Sequence, residues 1–152
     1  MNGSAWNHRH LEANGIGIHY VRHGVDPPLV LLHGWPEFWY TWRKNLPVLA
    51  RECDVVAPDL RGFGDTDKPV LPDPPKSLLG TLVEDLRGLA DSLGFERFGV
   101  VSHDVGAYVG QGFVWKYPER FSGLTLPTVR FPTPSGRQRD RCSLRARHAT
   151  HR

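Results

Sequence analysis

The chain has 152 residues, enough for one domain with an ordinary core, and 39% of them are apolar, with five tryptophans. No run of about eighteen apolar residues occurs and the first ten residues lack an apolar signal core, which argues against a membrane-spanning helix or a secreted protein and gives a cytoplasmic expectation. The net charge of +3 is uneven, because residues 127–152 carry seven Arg, no Lys and one Asp, leaving the body of the chain acidic.

Residues 1–14 read as a flexible lead-in. Residues 15–22 alternate, with Ile16, Ile18 and Tyr20 on one face, and predict a strand. After the turn Asp26-Pro27-Pro28, Leu29 to Leu32 is a short apolar run of the kind found in parallel strands covered on both faces. Residues 37–50 have helical spacing through Trp39, Trp42, Leu46 and Leu49, with Pro47 expected to kink or end the helix. Cys53 to Ala57 predicts a second buried strand, with Cys53 a small buried residue. A Gly/Asp/Pro loop over 59–73 leads to a helix over 77–93, where Leu82, Leu86, Leu89 and Leu93 share a face and Gly94 is the stop. Phe98 to Val101 is a third buried strand, a helix follows over 107–117, and residues 121–126 start one more strand. This β–α alternation predicts a doubly wound α/β sheet, in which a ligand sits beyond the carboxyl ends of the strands.

The pattern ends at Pro127, which cannot donate to a ladder. Beyond it only Val129, Phe131 and Leu144 are large and apolar, so residues 127–152 read as a basic, disordered tail. The two cysteines supply neither a disulfide framework nor a metal-ligand spacing. Seven arginines can attract phosphate, but without interleaved aromatics no dedicated nucleic-acid site is expected.

Between the third strand and its helix stands Ser102-His103-Asp104-Val105-Gly106. Small residues two before and two after the tip are the mark of a nucleophile elbow, whose tight turn crowds its neighbours. The tip is Asp104. A carboxylate there is favoured by the helix amino terminus and suits attack on an electrophilic carbon. Taken alone, Asp104 would read as a helix N-cap. The loop His33-Gly34-Trp35-Pro36 falls at the same end of the sheet, and the amides of Trp35 and Val105 could form a two-donor oxyanion hole. His33 and His103 adjoin these motifs and, with Gly34 and Pro36, are placed around the substrate pocket, although turn geometry favours structural roles for both histidines. Asp59, Arg61, Asp65 and Asp67 read as turn-makers. Of the aromatic group Trp35, Phe38, Trp39, Tyr40 and Trp42, most is expected to pack and some to line an apolar pocket.

Three linked segments carry a family resemblance: His33-Gly34-Trp35-Pro36-Glu37-Phe38-Trp39-Tyr40-Thr41-Trp42-Arg43, Ala57-Pro58-Asp59-Leu60-Arg61-Gly62-Phe63-Gly64-Asp65-Thr66, and Ser102-His103-Asp104-Val105-Gly106-Ala107. They resemble the α/β-hydrolase superfamily, and within it the epoxide hydrolases and their dehalogenase relatives, over residues 15–126. The resemblance implies the amino-terminal half of that fold, with the cap domain and C-terminal strands absent. It implies Asp104 as nucleophile, Trp35 and Val105 as backbone oxyanion donors, no cofactor, no metal, and an epoxide or halogenated small molecule as substrate. The family's cap tyrosines, second acid and water-activating histidine have no counterpart here, so the expectation is a truncated or frame-shifted product without turnover. Val105 stands where many relatives carry Trp or Arg, so no indole N–H is available there to hold a halide, and epoxide, haloacid and other substrates stay open. The strand beginning at Phe121 would leave an open edge through which copies could associate.

Overall fold

The computed structural model describes residues 6–70 and 78–125, so the expectations for the tail lie outside the described residues. Six strands form one sheet in the order β1-β2-β4-β3-β5-β6: β1 His8–Ala13, β2 Ile16–His23, β3 Pro28–Leu32, β4 Asp54–Pro58, β5 Phe98–Ser102 and β6 Phe121–Thr125. The pairs β4–β3, β3–β5 and β5–β6 are parallel, while β1–β2 and β2–β4 are antiparallel. This is a partial α/β-hydrolase fold.

The apolar runs divide by parity, as the two-residue period of a strand requires. Val30, Leu32, Val56 and Val100 face a core closed by Leu82, Leu86 and Leu89 of α2 (Leu78–Ser92) and Val109 and Phe113 of α3 (Val105–Lys116). Leu29, Leu31, Val55, Ala57 and Val101 face the other way, onto Trp39, Trp42, Leu46 and Cys53. Both faces of the central strands are therefore covered, which explains why their sequences show no polar alternation.

Two expectations need correction. The lead-in ends early, because β1 begins at His8 and pairs along its length with β2. As an edge strand with four of its six residues exposed, it lacks the apolar alternation that marks a strand from sequence. Its signal was the turn: Asn14 and Gly15 both have positive φ, 49° and 74°, and join Ala13 to Ile16 as a two-residue hairpin. The helix expected over 37–50 is instead a 3-10 turn at Trp39–Trp42 and the four-residue α1, Leu46–Leu49. Pro47 sits in the first turn of α1, where its missing N–H costs no helical bond, so it starts a helix rather than kinking one.

Charged groups lock the helices to the sheet. Arg61 grips Asp85 of α2 with two bonds of 2.7 Å, and Asn14 at the hairpin turn donates to the same carboxylate at 2.6 Å. Glu84 of α2 accepts from Lys116 and Tyr117 at the end of α3 and from Arg87 on its own helix. These donors lower its pKa to about 2, below the usual 4.5. A depressed carboxylate stabilises the fold above its unfolded pKa and stops doing so as pH falls through the folded value. Acid titration of stability should therefore show a loss between about pH 4.5 and 2. Glu84→Gln should remove that component, at a cost of roughly 1 kcal/mol at neutral pH because the pair is partly solvated. Denaturant melts of both proteins at several pH values check this.

Candidate active site

The carboxyl ends of β3 and β5 lie side by side, with Leu32 paired to Ser102, so the loops that follow them meet. After β5 the chain turns sharply at Asp104, a non-glycine residue at φ 51° and ψ −125°. Such a conformation costs about 1–3 kcal/mol and persists only where the surroundings impose it. Here they do. Ser102 is fully buried, and a Cβ on Gly106 would lie 2.6 Å from the carbonyl oxygens of both Leu32 and His33. Only glycine lets α3 start this close to β3. Gly34 meets a similar limit, since a Cβ there would lie 2.6 Å from Cβ of Asp104.

Asp104 stands at the N-cap position of α3 but makes no side-chain capping bond there, unlike an ordinary N-cap. Its carboxylate reaches across to the first loop instead, where the Trp35 N–H donates to Oδ1 at 2.8 Å. The Val105 backbone N–H, the first of α3, adds a weaker favourable interaction with the carboxylate. These two amides, Trp35's first, pull the Asp104 pKa below its usual value, so the group is an exposed anion at neutral pH. Two N–H groups directed at one carboxylate form an arrangement able to hold developing negative charge.

His33 has no exposed surface. Its Nε2 accepts from the Leu60 N–H at 2.9 Å, so Nδ1 carries the proton and donates to the Gly34 carbonyl at 2.8 Å. Burial lowers its pKa and keeps it neutral. The placement of His33 on a pocket wall is thereby corrected: both nitrogens are used inside the protein, joining the loop after β3 to the loop after β4. His103 is partly exposed, and its Nε2 contacts Glu37 Oε2 at 2.9 Å while its ring packs edge-on to Trp42. Pro36 follows a cis peptide bond, and Gly34 and Pro36 frame the Trp35 amide.

Glu37 is the residue that sequence reasoning missed. It accepts from the Gly34 N–H and the Thr41 hydroxyl and binds His103, tying the first loop to the elbow. Its position between Pro36 and an aromatic run gave it the look of a solvated helix start. Asp59 exceeds the turn role expected of it. It is 1% exposed and accepts from the amides of Trp39 and Asp65 and from His19. Of the aromatics, Trp39 and Trp42 are core, whereas Trp35, Phe38 and Tyr40 stand exposed near the loop.

A strand-elbow-helix nucleus on a mostly parallel sheet, with its carboxylate presented to a backbone amide of the neighbouring loop, defines a hydrolase-type α/β protein. Residues 27–136 match the alpha/beta hydrolase fold family, and the chain belongs to that family. It is 43% identical over 113 residues to the soluble epoxide hydrolase of Corynebacterium sp. (strain C12), covering 74% of this chain and 37% of the relative. It is 37% identical over 119 residues to the fluoroacetate dehalogenase of Burkholderia sp, covering 78% and 39%. Among solved structures, an epoxide hydrolase from Vigna radiata superposes with a TM-score of 0.77 at 38% identity, covering 83% of this chain and 39% of that one. The chain spans about two fifths of the length of the relatives it matches. Among the described residues no helix is long and apolar enough to cross a membrane.

Proposed function

We propose that Asp104 is the nucleophile of an epoxide hydrolase-like reaction. One carboxylate oxygen attacks an epoxide carbon, that carbon's bond to the ring oxygen breaks, and the ring oxygen takes the electron pair and then a proton. The product is an ester of Asp104. Water then attacks the ester carbonyl, the tetrahedral oxygen is held by the Trp35 and Val105 amides, and collapse releases a diol and the free carboxylate. The observation that carries this reading is the exposed, ionised Asp104 held at the strained elbow with the Trp35 amide 2.8 Å from Oδ1. The likeness to proteins named epoxide hydrolase supports the substrate class.

The second step needs a base. Among the described histidines nearest the elbow, His33 is closed off by Leu60 and Gly34, and His103 is bound to Glu37. The 152-residue chain is therefore expected to alkylate once and to release product slowly. Incubation with excess styrene oxide, with diol counted against protein, tests this. One equivalent of bound substrate with little diol fits the reading. Repeated turnover means that a water-activating base is present, and neither capture nor turnover removes the nucleophile assignment.

A haloacid is the second substrate class, favoured by the likeness to a protein named fluoroacetate dehalogenase. The same attack would break a carbon–halogen bond and expel halide, and halide release from fluoroacetate distinguishes it. We further assign the protein to the cytoplasm. Self-association through the outer edge of β6 is the remaining proposal, and sedimentation across a concentration series checks it.

A further inference from the structure

We propose that His8, His10 and His19 form a binding site for a borderline transition-metal cation such as Zn2+ on the β1–β2 hairpin, outside the elbow. The sequence suggests no metal because these residues follow no ligand spacing; the strand register assembles them. His8 and His10 are two apart on β1 and so share a face, and His10 pairs directly with His19 on β2. The rings of His8 and His10 lie 5.1 and 4.9 Å from that of His19, centroid to centroid.

The buried member is already set for coordination. His19 Nδ1 lies 2.8 Å from Oδ2 of Asp59, a carboxylate that also accepts from the amides of Trp39 at 2.7 Å and Asp65 at 2.9 Å. Asp59 is thus an acceptor, His19 carries a proton on Nδ1, and in the neutral ring Nε2 turns its lone pair outward. A histidine whose far nitrogen donates to a carboxylate is the usual arrangement of a metal ligand, because the carboxylate fixes the tautomer and raises the basicity of the ligating nitrogen. That lone pair faces His8 Nδ1 at 2.9 Å. Two nitrogens on one tetrahedral zinc at about 2.0–2.1 Å lie roughly 3.3 Å apart with both lone pairs aimed at the ion, so the exposed His8 and His10 rings must turn toward His19 Nε2 to complete the site. With His19 in that tautomer, the bond between them is donated by His8 Nδ1. Moving that proton to His8 Nε2 keeps the ring neutral and frees a second lone pair for the metal.

Among the described residues, His19, Asp59 and Asp65 are the group whose ligand atoms already lie within 4.8 Å of one another, whereas His8, His10 and His19 reach that spacing only once the exposed rings turn. That set is less suited, because Asp59 is occupied by two amides and by His19 itself. The outward set is accessible, since His8 and His10 are exposed while His19 is 1% exposed. Asp59 also holds the Trp39 amide, so an ion on His19 would brace the segment that carries the first active-site loop.

Calorimetric titration of the full chain with ZnCl2, with thermal melts alongside, tests the proposal. One equivalent should bind and raise the Tm. His8→Ala and His10→Ala, both at exposed positions and checked for folding by circular dichroism, should each weaken binding by about tenfold or more. The double variant His148→Ala/His151→Ala, in the tail, should bind as the parent does. Absence of saturable binding at millimolar zinc, unchanged affinity in either β1 variant, or loss of binding in the tail variant would overturn it.

Discussion

Asp104→Asn is expected to abolish covalent capture of an epoxide, slowing it by at least about three orders of magnitude, while the protein stays folded. The amide has nearly the shape of the carboxylate and retains an oxygen that can accept from Trp35, but it carries no anionic oxygen to attack carbon. Asn also tolerates positive φ about as well as Asp, so the elbow at φ 51° should survive the change. Because the Trp35 and Val105 amides hold the Asp104 pKa below its usual value, capture by the parent should be flat across neutral pH. It should fall only as pH drops below the ordinary carboxylate range, where protonation removes the nucleophile. Stopped capture assays followed by intact mass, from pH 3 to 8, check both points.

Gly106→Ala is expected to cost about 2–4 kcal/mol and to impair capture in whatever protein still folds. Its Cβ would meet the carbonyl oxygens of Leu32 and His33 at 2.6 Å, and both belong to backbone that cannot rotate away. Relief requires the start of α3 to lift from β3, and this moves the Val105 amide off the carboxylate. Gly112→Ala on the same helix is the control. There the new methyl meets Val83 Cγ2 at 2.9 Å, a side chain that can shift, and alanine is better than glycine in a helix by about 1 kcal/mol. The account therefore predicts a large loss at one glycine and little or none at the other. Urea melts of the two variants measure the difference.

The central sheet was legible because both its faces are covered: Leu29 to Leu32, Cys53 to Ala57 and Phe98 to Val101 could hardly be anything but buried strands. The elbow was legible for a different reason. Steric crowding leaves few residue types possible at 102 and 106, so backbone geometry is written directly into composition. The edge was harder. β1 exposes most of its residues, and its sole strong signal, Asn14-Gly15, lies after it. Residues 37–50 misled because Trp39, Trp42, Leu46 and Leu49 do face one core, with a helical spacing that a 3-10 turn and one α turn satisfy as well. Partners distant in sequence were not readable at all. Glu37 with His103, His19 with Asp59, and Arg61 with Asp85 are matched only by the register of strands and loops that the fold imposes.

The most direct measurement is a peptide map of the chain after reaction with styrene oxide. Trypsin cuts after Arg97 and Lys116, so one peptide contains the whole elbow, with Ser102, His103, Asp104 and Tyr108 as its nucleophilic side chains. The account predicts one substrate mass on that peptide, placed on Asp104 by fragmentation and absent from Asp104→Asn. A modification on His103, on Tyr108 or on a different peptide, or an adduct that persists in Asp104→Asn, would contradict it.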